Sequence, residues 1–128
     1  EGVIRLFKSS DPVNFADGEQ CRDFIYVKDA VRMTCSFLEN EATGIFNLGT
    51  GRAGTWNAIA NAVFRAIDKP ARIEYIDMPK DLIGNYQNYT RADMSKTAGI
   101  LGQDAICEPL ENSVVEYVRQ YLLPGKTW

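Results

Sequence analysis

Arg22 is the residue best suited to recognition chemistry. It stands at the entrance of Phe24-Ile25-Tyr26-Val27, a run of aromatic and β-branched residues that favours a strand. Its guanidinium is a planar fork of donors that matches a phosphate. Asp23 beside it admits a plainer reading, an exposed Arg–Asp pair of little energetic weight. Lys28 and Asp29 close the run, and Asp29 has the short acceptor side chain that caps a helix. A strand at Phe24 to Val27 ending directly in a helix is therefore expected. Tyr86 and Tyr89, three apart, form a second polar-tipped pair of the kind found half-buried at a domain edge. The third candidate is Gly49-Thr50-Gly51-Arg52-Ala53-Gly54. It fits G-x-G-x-x-G, follows an apolar run and precedes a helical pattern, with Glu74 and Asp77 roughly twenty residues on, as a dinucleotide fingerprint requires.

Other chemistries are excluded by composition. The chain has no histidine, which removes histidine-dependent triads and most histidine-rich zinc sites. Its three cysteines, Cys21, Cys35 and Cys107, lack the close pairing of a metal or redox motif and are read as reduced core or boundary thiols, as in a cytoplasmic protein. With 14 basic against 17 acidic residues the net charge is -3, so there is no basic field for nucleic acid. No apolar run reaches the ~20 residues of a membrane span, and no signal-like segment opens the chain. At 128 residues, 45% hydrophobic and 24% charged, the composition is that of one globular domain, too short for a two-domain enzyme. The opening Glu1-Gly2-Val3-Ile4-Arg5 reads like a chain cut in mid-structure.

The elements that must position these residues follow from patterning. Val3 to Phe7 is a short apolar stretch, and residues 8 to 20, with Asp11-Pro12 and Asp17-Gly18, are expected as a surface loop. Ala30, Val31, Thr34, Cys35 and Leu38 recur at helical spacing, with Met33 and Phe37 widening the stripe. Ile45 to Leu48 reads as a short strand, and Thr55 caps a helix with Trp56, Ile59, Ala60, Val63 and Ile67 on its apolar face, stopped at Lys69-Pro70. Arg72 to Ile76 is another strand. Met78 to Leu82 is irregular, Asp93 caps a short helix through Ala98 that Gly99 and Gly102 end, and Pro109 starts a last helix whose face is Leu110, Val114, Tyr117, Val118 and Tyr121. Pro124-Gly125 closes it, ahead of a frayed tail. About four strands result, too few for a full dinucleotide fold. Thr55 also starts its helix after the last glycine, where the fingerprint needs that glycine inside the helix.

Arg22-Asp23-Phe24-Ile25-Tyr26-Val27-x-Asp29 resembles the signature in the C-terminal half of the extended short-chain dehydrogenase/reductase enzymes, the NAD-dependent epimerase/dehydratase family acting on sugar nucleotides. Leu6-Phe7-Lys8-Ser9, Gly44 to Ala53, Ile73-Glu74-Tyr75-Ile76 and Tyr86-Gln87-Asn88-Tyr89-Thr90-x-Ala92-Asp93 narrow the resemblance to the branch of that family that acts on an ADP-linked heptose. It extends over nearly all 128 residues, and the Tyr-Gln-x-x-Thr-x-Ala-Asp segment is its more specific motif.

The resemblance implies an α/β fold, with residues 1–128 as the C-terminal substrate-binding region of a Rossmann-type enzyme, built of short strands and about four helices. The N-terminal NADP-binding domain would be absent from this chain. The implied activity is inversion of C6 of an ADP-heptose, a precursor for the lipopolysaccharide inner core, by hydride transfer to and from NADP. Arg22 then corresponds to a diphosphate-binding arginine and Tyr86 to a tyrosine that contacts substrate. Phe7, Lys8, Ser9 and Ser10 match a segment that lines the sugar-nucleotide site. Asn47-Leu48-Gly49-Thr50-Gly51 becomes a C-terminal landmark, a tight turn rather than a coenzyme loop. The family's catalytic Tyr-x-x-x-Lys pair is missing, so no catalytic residue is assigned here, and the fragment alone is expected to be inactive. Family members form homo-oligomers. Two other readings stay open: the same part of another nucleotide-sugar epimerase or dehydratase, and a non-catalytic nucleotide-sugar-binding module. In a separated piece, the strand at Ile45 to Leu48 would expose an edge that invites association.

Overall fold

The computed structural model describes residues 2–126; residue 1 and, of the tail expected after Gly125, residues 127 and 128 lie outside it. Two small sheets and five α-helices make up the described fold. The strands β1 (Ile4–Phe7) and β4 (Ile73–Ile76) pair in parallel, Ile4 opposite Ile73 and Phe7 opposite Ile76. A parallel pair needs a long crossover, and about half of the chain lies between these two. The second sheet is shorter: β2 (Cys21–Arg22) pairs antiparallel with β3 (Gly54–Thr55), Cys21 opposite Thr55 and Arg22 opposite Gly54. A single bridge from Cys21 to Tyr89 extends it, closed by Cys21 N–H to the Asn88 carbonyl at 2.8 Å and Thr90 N–H to the Cys21 carbonyl at 3.1 Å.

The strand expected at Phe24 to Val27 is therefore confined to Cys21 and Arg22. Its partner explains why. Past Gly54 the opposite chain turns into the glycine-rich loop, leaving nothing alongside Phe24 to continue the ladder. Phe24 instead packs edge-on against Trp56, with centroids 4.9 Å apart.

Helix α1 (Val27–Phe37) has Tyr26 as its N-cap residue with no side-chain cap bond. Asp29, expected to cap it, lies in its first turn and is 5% exposed. Its carboxylate accepts from Arg32 Nη2 at 2.7 Å and from the Glu108 N–H at 3.0 Å. The acceptor is thus spent on tying α1 to the segment before the last helix. Only part of the expected packing face of α1 is turned inward. Met33, with 0% exposure, faces the core beside Phe37, whereas Val31 is 55% and Leu38 84% exposed, and Thr34 and Cys35 are exposed too. Apolar residues line both sides of this helix, so spacing alone does not distinguish inside from outside.

Helix α2 (Trp56–Ala66) starts as expected, with Thr55 Oγ1 accepting from the Ala58 N–H at 3.0 Å, and buries Ala60, Ala62, Phe64 and Ala66. It packs along α5 (Leu110–Tyr117), whose N-cap is Pro109 and which widens into a π-type turn over Val118–Leu122 before Gly125 (φ 64°) closes it. Met78 to Leu82 is not irregular throughout: the Pro79 carbonyl accepts from the Leu82 and Ile83 N–H groups, closing a one-turn helix α3 (Lys80–Ile83). Helix α4 (Ser95–Leu101) runs through Gly99 and ends only at Gly102 (φ 55°), before a 3-10 turn over Gly102–Ala105. Asp93 does hold its start, accepting from Ser95 N–H at 3.0 Å and Oγ at 2.6 Å. Five α-helices thus stand where about four were expected.

Ile45 to Leu48 does not form a strand, because no other described strand lies beside it. Its carbonyls are met by side chains: Lys96 Nζ donates to Ile45 O at 2.9 Å and Thr97 Oγ1 to Asn47 O at 2.6 Å. Ile45 is 90% exposed. Residues 8 to 20 are the expected loop, although it ends buried at Gln20. Of the cysteines, all free, Cys107 is buried, Cys21 half-buried and Cys35 exposed. Among the described residues no cluster suits a metal ion, and no helix is long and apolar enough to cross a membrane.

Met33, Leu101 and Cys107 form the buried centre, with Ile25, Phe37, Met94 and Ala105 packed around it. Met33→Ala removes a side chain with no solvent exposure to relax into. It is expected to cost about 2–4 kcal/mol, read as a lower urea midpoint at unchanged slope.

Candidate functional site

The site is built around Arg22 at the end of β2. Its guanidinium carbon sits 5.0 Å from the centroid of the Tyr86 ring, within cation–π range. Arg22 Nη1 donates to the Cys21 carbonyl at 2.9 Å, which anchors one arm of the fork. Among the described residues its other donors meet no protein acceptor. Tyr86 reaches Arg22 because the segment after it is stitched to β2 through Asn88, Tyr89 and Thr90. The phenol oxygen of Tyr86 in turn accepts from Trp56 Nε1 at 3.0 Å. Two of the expected site residues, Arg22 and Tyr86, are thus in direct contact across more than sixty positions of sequence.

The other four are arranged differently. Ser10 Oγ donates to Asn88 Oδ1 at 3.2 Å, joining the loop to the Tyr86 segment. Phe7 ends β1 in the other sheet, half-buried. Ser9 orders its own loop: its N–H donates to Asp17 Oδ1 at 2.8 Å and its Oγ accepts from the Asp11 N–H at 3.1 Å. Lys8 Nζ is paired with Asp77 Oδ1 at 2.8 Å, both exposed, and this hydrogen bond raises the lysine pKa. Lys8 would have to leave Asp77 to meet a phosphate.

Asp23 is not the partner of Arg22. Its Oδ1 accepts from the Thr50 N–H (2.7 Å) and Thr50 Oγ1 (2.6 Å), and its Oδ2 from the Gly51 N–H (2.9 Å) and the Ala92 N–H (3.0 Å). One carboxylate therefore clamps the glycine-rich loop and the strand-like segment after Tyr89 to the end of β2. A Cβ on Gly49 would come within 2.6 Å of the Ala92 Cβ and 2.9 Å of Asp23 Oδ2, so the residue type is dictated by this clamp. The loop thus behaves as the tight turn expected, and the N–H groups a phosphate would need from Thr50 and Gly51 are already engaged. Arg52 is likewise occupied, donating to the carbonyls of Cys107 at 2.8 Å and Glu108 at 3.3 Å. A cleft of about 330 Å³ lined by Phe24, Thr50, Arg52, Glu108 and Glu111 is consequently poor in free donors.

Trp56, Asn88 and Asp23 were not nominated from sequence. A tryptophan directly after a helix cap is one usable signal, since an indole N–H at a helix start needs an acceptor that the helix itself does not supply.

The profile of the NAD dependent epimerase/dehydratase family matches residues 2–49. A curated relative from Nitratidesulfovibrio vulgaris strain DP4, an ADP-L-glycero-D-manno-heptose-6-epimerase, is 53% identical over 95% of this chain and 38% of its own length. A protein of the same name from Fusobacterium nucleatum is 41% identical over 94% of this chain and 38% of its own. This chain therefore spans little more than a third of these relatives. Among solved structures, a UDP-N-acetylglucosamine 4-epimerase from Methanobrevibacter ruminantium in complex with UDP-N-acetylmuramic acid shares the fold, with a TM-score of 0.67 and 21% identity over 98% of this chain and 36% of that one. A UDP-glucuronic acid 4-epimerase from Bacillus cereus in complex with UDP-glucuronic acid and NAD gives 0.64 and 20% over 92% and 44%. The fold is that of part of an extended short-chain dehydrogenase/reductase, and the similarity to heptose epimerases read from the motifs is borne out along nearly the whole chain.

Burial alone would raise the Asp23 carboxyl pKa, but the hydrogen bonds from the Thr50 side chain and from the N–H groups of Thr50, Ala92 and Gly51 outweigh it and hold the group below its ordinary value. A pKa lowered by folding stabilises above the unfolded value, near 4, and that contribution is lost as pH falls through the folded value. Asp23→Asn keeps one acceptor and turns an amide N–H₂ toward two N–H donors. It is expected to cost about 2–3 kcal/mol at neutral pH and to flatten the loss of stability between about pH 5 and pH 3, measured by urea unfolding across pH.

Proposed function

We propose that residues 1–128 are the C-terminal substrate-binding region of an NADP-dependent epimerase that inverts C6 of ADP-D-glycero-D-manno-heptose, a cytoplasmic step in making the lipopolysaccharide inner-core precursor. The observation that carries the reading is the Arg22–Tyr86 contact. It joins the two residues that the motifs assign to substrate, and it leaves a cation with unengaged donors beside a phenol. The heptose-epimerase relatives, 41–53% identical over nearly all of this chain, support the sugar assignment.

Among the described residues the glycine-rich loop does not fit the coenzyme. The glycine-rich loop, the one stretch with the spacing of a dinucleotide cradle, spends its Thr50 and Gly51 N–H groups on Asp23. On this reading NADP, and the acid–base pair that works with it, belong to an N-terminal domain outside this chain, and the complete enzyme assembles as a homo-oligomer. The part played by these residues is binding. Arg22 takes the ADP diphosphate on the free arms of its fork, while Tyr86 hydrogen-bonds an oxygen of the substrate. Ser10 steadies the same wall through Asn88, and Phe7, Lys8 and Ser9 border it from the loop side. Such contacts lie away from the reacting carbon and act by holding the sugar where reaction can occur.

In the complete enzyme, Arg22→Ala is expected to weaken ADP-mannose binding about ten- to a hundredfold. Arg22→Lys should recover little, because a point charge does not replace the fork. Calorimetric titration with ADP-mannose, and with UDP-glucose as the competing nucleotide class, checks both. Unchanged affinity in Arg22→Ala overturns the site, and preference for the UDP-sugar moves the assignment to another nucleotide-sugar enzyme of the same fold.

A further inference from the structure

Tyr86 accepts a hydrogen bond from Trp56 Nε1 at 3.0 Å. An indole N–H only donates, whereas a phenol has one hydrogen to give and lone pairs to accept with. Because the Tyr86 oxygen is accepting, its own O–H has to point away from Trp56, and no described side chain or carbonyl receives it. Trp56 itself is held on two sides. It is the first residue of α2, directly after the Thr55 cap, and its ring packs edge-on against Phe24 at 4.9 Å with an interplanar angle of 74°. Phe24 is two residues from Arg22, whose guanidinium lies over the other end of the chain of contacts, the Tyr86 ring.

We infer that Trp56 is a positioning residue that fixes the Tyr86 phenol as a hydrogen-bond donor next to the Arg22 guanidinium, so that the two together recognise a diphosphate oxygen rather than a sugar hydroxyl. This rests on the proposed nucleotide-sugar site and deepens it. A cation over the ring and an outward O–H on the same tyrosine favour a group that only accepts and carries negative charge, which describes a phosphate oxygen. A sugar hydroxyl, which must also place its own hydrogen, gains less from two donors.

The test is a cycle in the complete enzyme with ADP as probe. Trp56→Phe keeps the ring against Phe24 and removes the N–H, and Tyr86→Phe removes the phenol. Tyr86→Phe, which removes a hydrogen bond to a charged phosphate, should weaken ADP about ten- to a hundredfold, and Trp56→Phe, which leaves the phenol in place but no longer held, about three- to tenfold. The double variant should bind no more weakly than Tyr86→Phe alone, since Trp56 acts only through that oxygen. The loss should be the same for ADP-mannose as for ADP. Replacing Trp56 by β-(3-benzothienyl)alanine, which keeps the shape and lacks the N–H, should reproduce the Trp56→Phe loss and serves equally if the phenylalanine variant folds poorly. Additive effects in the double variant, or a loss seen with ADP-mannose but not ADP, overturn the inference. If Arg22→Ala and Tyr86→Phe weaken ADP while both Trp56 replacements leave it unchanged, only the role of Trp56 falls. If Arg22→Ala and Tyr86→Phe also leave ADP binding untouched, the nucleotide-sugar site itself falls with it.

Discussion

The carboxylate of Asp23 is the interaction on which the rest of this structure depends. Four donors from two segments far apart in sequence, Thr50 and Gly51 on one side and Ala92 on the other, converge on its two oxygens. A charged acceptor satisfied this fully is among the stronger arrangements a chain can make with hydrogen bonds. It turns the glycine-rich segment into a rigid corner between Leu48 and α2. The same corner ends the pairing of β2 after two residues, which is why the backbone turns toward α1 directly behind Arg22.

The geometry of the site follows from that corner. Once β3 is set opposite β2, Trp56 enters α2 beside Phe24, and its indole lies where Tyr86 can accept from it. Once Ala92 is held by Asp23, the residues before it run along β2 and bring Tyr86 under the Arg22 guanidinium. Arg22, Trp56 and Tyr86 are therefore brought together by backbone pairing and by the Asp23 carboxylate, not by their immediate neighbours in sequence. A second clamp of the same kind, Asp29 with Arg32 and the Glu108 N–H, fixes the start of α5 against α1. In both cases an acidic residue that has the look of a surface partner serves as an internal tie.

Several elements were legible in the sequence because their determinants are local. The Thr55 cap, the Pro109 start and the Asp17-Gly18 turn all depend on residues within a few positions of one another. Motif resemblance singled out Arg22 and Tyr86, and the structure brings the two into contact. The face of α1 was not, since Val31, Leu38, Met33 and Phe37 are equally apolar and only packing against Leu101 and Cys107 selects Met33. Ile45 to Leu48 has strand-forming composition, yet a strand is a property of a pair, and no described strand pairs with it. Lys8 and Ser9 carry the right groups for a phosphate, but their hydrogen bonds go to Asp77, Asp11 and Asp17.

What the sequence by itself determined is where α2 and α5 start, the absence of histidine and of closely paired cysteines, and which donor side chains the chain carries. Those depend on residue type and short-range spacing. Tertiary structure alone decided which acidic residues became clamps, which face of α1 was buried, and the outward direction of the Tyr86 hydroxyl. Each of these is settled by a partner more than twenty residues away, because a hydrogen bond or a packed surface takes its meaning from the group it meets.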